Sequence, residues 1–311
     1  MKCRKCDRPA RVVLHYSGLS LCEQHYVEYF AKRVCDCVER YRMLRGARRV
    51  VLAISGGKDS AAMAHVMVNF FKGLEFVGLH IDLGIPSYSD ASLRAAKNLA
   101  KLLGLPLVIV PLRDNYGFTI EELHAHRRAL LRPICSICGM VKRYILNAET
   151  LALRANVLAV GHNLDDEFSV ALHNMSLGDF EALRKGGPVL PEENGFARRI
   201  KPLYESYESE ARLYAQILKL PSTTVKCPYS KGATTTRMKE ATRRLEELYP
   251  GFKLRFMRFY VKKLKPLLVE RAEGVISRCA ICGMPTSGTI CSFCRLRSRV
   301  EDVKRKSVRA V

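Results

Sequence analysis

The stretch VVLAISGGKDSAAMAHVM, residues 50–67, decides the fold. An apolar run stops at Ser55-Gly56-Gly57-Lys58-Asp59-Ser60, and Met63, Val66, Met67 and Phe70 then recur at helical spacing. Strand, tight turn and helix N-terminus thus follow one another. The two glycines let the backbone turn and present its N–H groups. Ser55 and Ser60 add hydroxyls, Lys58 adds charge, and the helix offers its positive end. The segment is an anion cradle, against the plainer reading of a tight turn with a fortuitous sequence. It lacks the G-x-x-x-x-G-K-[ST] spacing of a Walker loop, so the kind of phosphate it holds must be read from the rest of the chain.

Outward from the loop the same alternation continues. Residues 76–82 and 105–112 read as strands, and residues 89–103 as a helix capped by Ser89 or Asp90. A long helix is expected over residues 135–155. NVLAVGHN (156–163) reads as a fourth strand, and LDDEFSVALHNM opens the next helix. This pattern predicts the α/β class with a doubly wound parallel sheet, in which ligands bind beyond the carboxyl ends of the strands. Ser55, His80, Asp82 and Gly161 fall at such ends. Residues 26–45 read as a basic amphipathic helix, and RKGGPVLPEENGFARRIKPLYE (184–205) as a Gly/Pro-rich connection.

Composition bounds the partners. The chain has 311 residues, 48% of them hydrophobic, enough for one large domain with small additions. No apolar run is long enough to cross a bilayer, and the opening MKCRKCDRPA has no apolar segment of a signal peptide, so a cytoplasmic location is expected. Lys and Arg outnumber Asp and Glu by 52 to 30, a formal charge of +22. A solubility device is the bland explanation; a nucleic-acid partner is preferred. Between residues 237 and 271 there are 11 Lys or Arg against 4 Glu, interleaved with Phe252, Phe256, Phe259 and Tyr260. A solvated helix face would look similar, but cations beside aromatics suit phosphate contact and base stacking, so an RNA surface is expected there.

The cysteines sort by spacing. Cys3, Cys6, Cys22 and His25 follow C-x2-C-x15-C-x2-H; Cys279, Cys282, Cys291 and Cys294 follow C-x2-C-x8-C-x2-C. Two short-loop pairs in each cluster supply the four ligands of a closed, structural zinc site. Cys35 and Cys37 are too close for a metal clip and are assigned to helix packing. Cys135 and Cys138, in RPICSICGMVKRY, and Cys227, in TTVKCPYSKG, remain. Read from the residues alone, they allow a persulfide nucleophile at Cys138 or Cys227 with the other as resolving thiol, or a third zinc site with no obvious fourth ligand.

Ser-Gly-Gly-x-Asp-Ser after the first strand resembles the PP-loop of the ATP pyrophosphatases, which hold the pyrophosphate portion of ATP and activate a carbonyl oxygen as an adenylate. CSICGMVKRY, GHNLDDE, KCPYSKGATT and the two terminal clips together are similar to the tRNA 2-thiolation enzymes. GLHIDLGIPSYSDAS resembles the archaeal and thermophile TtuA branch, which acts on 5-methyluridine 54. The wobble-uridine branch usually has an acidic residue where this chain has Leu83. The resemblance runs from Cys3 to Cys294 and implies an adenine nucleotide alpha hydrolase-like domain over 31–270, between zinc fingers at 1–30 and 271–311.

It also implies roles. Ser55, Gly57, Asp59 and Ser60 would hold the phosphates of ATP, with Gly56 shaping the turn and Lys58 supporting the charge. Ala53, His80 and Ile81 would grip adenine and ribose largely through backbone groups, and Gly161 would pack close to the nucleotide. Cys135, Cys138 and Cys227 would ligate a [4Fe-4S] cluster with one iron open. Lys142 would stabilise charge on phosphate or on the activated oxygen. Asp165 or Asp166 would orient Mg²⁺ or the uridine; Asp165 is the more easily read as a mere helix cap, so Asp166 is preferred. The implied partners are tRNA, a ubiquitin-like sulfur carrier with a C-terminal thiocarboxylate, and a second copy of the chain. The rivals are the same chemistry on wobble uridine 34, a noncatalytic zinc-finger RNA-binding protein, and an amidotransferase-like synthetase.

Overall fold

The computed structural model describes residues 1–130, 132–230, 234–268 and 276–309. The end of the basic segment beyond residue 268 and the expected boundary at 270/271 lie outside them. A hairpin of β1 (Val12–Leu14) and β2 (Leu19–Leu21) leads into helix α1 (Glu23–Arg40). A six-stranded sheet follows, built from β3 (Arg49–Ala53), β4 (Glu75–Asp82), β5 (Leu107–Pro111), β6 (Val157–Ala159), β7 (Val189–Leu190) and β8 (Arg198–Ile200). Its spatial order is β5-β4-β3-β6-β8-β7, parallel throughout except for edge strand β7.

The connections set which faces are covered. Helices α2 (Lys58–Phe70) and α3 (Tyr88–Leu103) follow β3 and β4. Three short helices, α4 (Leu112–Tyr116), α5 (Ile120–Ala125) and α6 (Arg127–Leu130), precede the long α7 (Ile134–Ala152), which returns to β6. Then come α8 (Leu164–Ser176), α9 (Phe180–Arg184), α10 (Glu208–Ile217), α11 (Thr234–Leu248) and α12 (Phe252–Phe259). The chain ends in a hairpin of β9 (Ser277–Arg278) and β10 (Pro285–Thr286), followed by α13 (Ser292–Arg309). Val50, Val51 and Leu52 of β3 are all fully buried, because helices cover both faces. Val50 and Leu52 join the core beneath α1 and α2, and Val51 the core beneath α7. An uninterrupted apolar run is the signature of such a strand.

The expected doubly wound sheet is present, with three local differences. The Gly/Pro-rich connection supplies two strands, β7 and β8, and β8 extends the parallel ladder beside β6. Its sequence, Arg-Arg-Ile, has no apolar run to betray it. Helix α3 begins at Tyr88 after Ser87, which sits at φ +62°, and its helix end has no side-chain cap. Ser89 Oγ instead accepts from the Ile85 N–H at 3.0 Å. Helix α7 stops at Ala152 because Arg154 turns left-handed at φ +52°. On α1, Cys37 is fully buried and Cys35 half-buried, in keeping with a packing role.

The N-terminal hairpin is welded to the main body through α1. Tyr26 donates to the Glu210 carbonyl at 2.8 Å, and Arg33 spans both Glu210 carboxylate oxygens at 2.7 and 2.8 Å. Two turns on, Arg40 and Tyr41, joined by Arg258, converge on the buried Glu205. Burial alone would raise the pKa of Glu205, but the hydrogen bonds from Arg258 and Arg40 hold it at about 2. A carboxyl depressed in the folded state stabilises it above its unfolded pKa of 4.5 and loses that contribution as pH falls toward 2. Both arginines are about 40% exposed, so the effect is screened to roughly 1–2 kcal/mol. Glu205→Gln should therefore flatten the stability profile between pH 4.5 and 2 in urea unfolding, while lowering stability at pH 7.

Candidate active site

The reversal of strand order lies between β3 and β6, and the candidate site opens there. Leu52 is the last residue of β3 paired with β6, and Ala53 the last paired with β4. His80 and Ile81 pair only with β5, so their edge toward β3 is open. These are the backbone positions expected to meet adenine and ribose. The His80 ring covers the end of β3, its Nδ1–H donating to the Ile54 carbonyl at 2.8 Å. Burial lowers its pKa and keeps it neutral; its Nε2 is buried without a partner among the described residues.

The loop after β3 folds as its sequence dictates. Gly56 stands at φ +81°, and a Cβ there would meet the Ser92 carbonyl oxygen at 2.5 Å. Gly57 caps α2 in extended geometry. Ser55 and Ser60 hydroxyls lie 3.0 Å apart, Ser60 donates to the Gly57 carbonyl at 2.9 Å, and Ser55 Oγ accepts from the Gly57 N–H at 3.3 Å. The hydroxyls thus brace the turn and Ser55 remains exposed. Gly161 is packed on the loop's own backbone, where a Cβ would stand 3.0 Å from the Ser60 nitrogen.

Two more helices begin beside this turn. Asn163 and Asp166 form a reciprocal capping box on α8, each side chain taking the other's N–H at 3.1 Å. Capping of its own helix, expected of Asp165, therefore belongs to Asp166. Asp165 accepts instead from the Glu208 N–H, the first residue of α10, at 2.7 Å, and pairs with the buried Lys253 at 2.6 Å. Lys58 Nζ bridges Asp59 at 3.0 Å and Glu208 at 2.9 Å; Lys239 Nζ bridges Asp166 at 2.5 Å and Glu208 at 2.9 Å. Burial, partly offset by Lys58, raises the Asp59 pKa, and its Oδ1 is buried without a partner among the described residues. Three carboxylates facing one another beside an anion cradle, one with an orphaned oxygen, fit a divalent cation accompanying a bound triphosphate.

Cys135, Cys138 and Lys142 share one face of α7, at i, i+3 and i+7. Cys227 comes from the segment after α10; burial, reinforced by the neighbouring Cys227, raises the pKa values of Cys135 and Cys138. Burial works against the Lys142 charge, but Cys138, Tyr88, Cys227 and Cys135 hold it and raise its pKa. After burial, the Lys142 charge also helps to lower the His80 pKa. Cys135 Sγ lies 3.1 Å from the Tyr229 carbonyl. The Tyr229 ring stacks on His124 at 4.1 Å, and its hydroxyl reaches Glu121.

The terminal clips have a different geometry. Among the described residues, two groups bring metal-ligating atoms within 4.8 Å of one another: Cys3, Cys6, Cys22 and His25, and Cys279, Cys282, Cys291 and Cys294. Tetrahedral zinc with Zn–S of about 2.3 Å needs sulfurs ~3.8 Å apart; Cys6–Cys22 is 3.9 Å and Cys282–Cys291 is 3.7 Å. Backbone N–H groups of Lys5, Cys291 and Cys294 point at cysteine sulfurs at 3.3–3.4 Å, as thiolate ligands require. Cys135, Cys138 and Cys227 do not form such a group.

Residues 2–27 match the 2-thiouridine synthetase TtuA N-terminal LIM domain, and residues 26–223 the PP-loop domain. The tRNA-5-methyluridine(54) 2-sulfurtransferase of Pyrococcus horikoshii is 42% identical over 98% of this chain and 96% of its own. The chain belongs to the TtuA family of PP-loop proteins. The Thermus thermophilus protein of the same description is 40% identical over 95% of the chain and 91% of its own length. The U34-tRNA thiolase NcsA from Methanococcus maripaludis, solved with its [4Fe-4S] cluster, superposes with a TM-score of 0.77 at 30% identity, covering 91% of this chain and 92% of that one.

In this TtuA-family chain Asp166 stands by the loop residues Lys58 and Asp59 through Glu208 and Lys239, and Lys142 stands among Cys135, Cys138 and Cys227. The aromatic part of the expected RNA surface does not. Phe252 and Phe256 pack edge-on against Phe168 at 6.0 and 5.2 Å, and Tyr260 is buried with its hydroxyl on the Leu183 carbonyl. Their i, i+4, i+8 spacing puts all three on the core face; Phe259 alone of the four is exposed, at 52%. Arg237, Arg244, Arg255, Lys262 and Lys263 remain at the surface without a carboxylate partner among the described residues. Glu208, Lys239 and Lys253 were not singled out from sequence; the acidic first turn of α10 was the one available signal. Gly161→Ala should push the Ser60 backbone away and weaken ATP binding at least tenfold in titration calorimetry, with an unchanged far-ultraviolet circular dichroism spectrum.

Proposed function

We propose that this chain is an ATP-dependent tRNA 2-sulfurtransferase that replaces the C2 oxygen of 5-methyluridine 54 with sulfur. The observation that carries it is the near full-length match to tRNA-5-methyluridine(54) 2-sulfurtransferases, in a chain whose PP-loop follows the strand at the order reversal and whose Lys142 sits among three thiols. Ser55, Gly57, Asp59 and Ser60 bind the phosphates, with Gly56 giving the turn and Lys58 the charge. Ala53, His80 and Ile81 offer open backbone edges to adenosine. Asp59, Asp166 and Glu208 are the groups that would hold Mg²⁺. The target base leaves its stack to enter the crevice.

The C2 oxygen attacks the α-phosphorus of ATP, the bond to pyrophosphate breaks, and a C2–O–AMP ester forms. Sulfide then attacks C2, the C2–O bond breaks, and AMP leaves with the oxygen. Lys142 stands among the thiols and its charge reaches His80, so it stabilises the phosphate and the leaving oxygen. Asp166, fixed by the capping box and Lys239, orients the reacting uridine or the metal. Cys135, Cys138 and Cys227 would hold a [4Fe-4S] cluster, and their three-thiolate donor set fits it; when bound, the cluster would supply the chemistry of sulfur uptake and delivery.

Zinc in both terminal clips is supported by their ligand sets and sulfur spacings. A cytoplasmic homodimer, with sulfur delivered by a ubiquitin-like thiocarboxylate carrier, is supported by the family resemblance. No helix among the described residues is long and apolar enough to cross a membrane. Position 54 is favoured by the relatives at 42% and 40% identity and by Leu83 before Gly84. The wobble position is the second reading, since the NcsA superposition covers nearly the whole chain.

Deleting the gene and mapping thionucleosides in total tRNA by mass spectrometry tests the reaction and the branch together. Loss of 2-thio-5-methyluridine at position 54 supports both, loss at position 34 moves the substrate, and no change at any position overturns the proposal. Anaerobically purified protein should be brown with about four irons per chain. Cys227→Ser should abolish thiolation and bleach the cluster while leaving tRNA affinity within about twofold; a colourless, active preparation would overturn the cluster reading.

A further inference from the structure

Helix α11 reaches the nucleotide site through one side chain. Lys239 Nζ stands 2.5 Å from Asp166 Oδ1 and 2.9 Å from Glu208 Oε2, while Lys58 holds the other Glu208 oxygen at 2.9 Å. A lysine of the phosphate loop and a lysine of α11 therefore clamp one carboxylate from two sides. Burial opposes the Lys239 charge, but Asp166 and Glu208 more than restore it. The same helix carries Arg237 and Arg244 outward, exposed and without a carboxylate partner among the described residues. Its remaining exposed cation, Arg243, is satisfied by Glu240 and Glu247 at 2.8 Å each.

We infer that Lys239 couples nucleotide binding to RNA binding, as a positioning residue that ties the outward-facing cations of α11 to Asp166 and Glu208. The inference rests on the proposed function for its two ligands and adds the link between them. ATP with its magnesium brings new charge against Asp59, Asp166 and Glu208, and the pairing of Lys239 with those carboxylates must change with it. RNA phosphates at Arg237 and Arg244 pull on the same helix from its other face. Any factor by which RNA alters nucleotide affinity must then appear equally in the effect of nucleotide on RNA affinity. A lysine that merely packs α11 against α8 would carry no such coupling.

The test uses the full chain and an unmodified tRNA transcript, with Kd measured at fixed salt in the presence and absence of Mg²⁺ and a nonhydrolysable ATP analogue. In the wild type the tRNA Kd should change at least fivefold on adding the analogue, and the analogue's Kd should change by the same factor on adding tRNA. Lys239→Met should bring both factors within twofold of unity, and Lys239→Arg, which keeps the charge, should restore them. Glu208→Gln, which removes the shared partner, should repeat the loss, and thermal melting identifies any variant that fails to fold. Wild-type protein with no coupling, or folded Lys239→Met with full coupling, overturns the inference. Wild-type protein that couples its ligands but thiolates no tRNA position sinks the proposed function and leaves the coupling standing; wild-type protein that binds no tRNA sinks both.

Discussion

Three helices, α2, α8 and α10, begin within hydrogen-bonding reach of one another at the carboxyl edge of the sheet, and the rest of the site is arranged around their shared positive ends. Each N-terminus leaves backbone N–H groups unsatisfied and carries a partial positive charge. Packed together they would repel. The chain answers with an acid in the first turn of each: Asp59 in α2, Asp165 and Asp166 in α8, Glu208 in α10. Asp165 caps α10 rather than its own helix, so two N-termini are stitched by one carboxylate. The acids then need cations, which come from Lys58, Lys239 and Lys253. The result is a charge-alternating ring around a loop whose backbone is still open to a polyphosphate. That alternation lets the ligand-free site exist and lets a highly charged ligand enter by exchanging partners.

The thiol site depends on elements far apart in sequence. Cys135 and Cys138 share a helix face with Lys142, whereas Cys227 is held from the other side by the Tyr229 strut to Glu121 and His124 on α5. The orientation of α7 is fixed in turn by the C-terminal clip. Phe293, between two of the clip's cysteines, is buried and stacks face to face on Tyr144 of α7 at 3.8 Å, with Tyr116 edge-on at 5.1 Å. Asn147 of the same helix lies against Met284 of the clip and accepts from the Ala197 N–H at 2.9 Å. The distal clip thus bears on the reactive helix through ring stacking and side-chain hydrogen bonds.

What could be read from sequence is what short-range physics writes there. The loop, the parallel strands β3 and β4 and the four-ligand clips are each specified within about twenty-five residues, by periodicity, turn chemistry and ligand spacing. Glu208 and Lys239 gave no comparable sign, because their partnership spans 31 residues and exists only once α11 folds over α8 and α10. Strand β8 was hidden because a sheet-edge Arg-Arg-Ile carries no apolar pattern. The aromatics of α12 misled for a related reason. Their spacing matched a core face as well as a stacking platform, and it is the neighbouring Phe168, invisible from the segment itself, that decides between them.

The same reasoning bears on the basic excess of the chain. A formal +22 suggests a uniformly cationic surface, yet many of the cations nearest the site are already engaged. Arg33 is consumed by Glu210, Arg40 and Arg258 by Glu205, Lys253 by Asp165, and Lys201 by the buried Glu167 at 2.6 Å. These pairs join the N-terminal helix, α12 and β8 to the strand-end segments, and a buried carboxylate left without its cation would be costly. Their work is structural. On α11, α12 and the turn that follows, the exposed cations without a carboxylate partner among the described residues are Arg237, Arg244, Arg255, Lys262 and Lys263. A polyanion held by Arg237 and Arg244 would engage the face of α11 opposite Lys239, the side chain that meets Asp166 and Glu208.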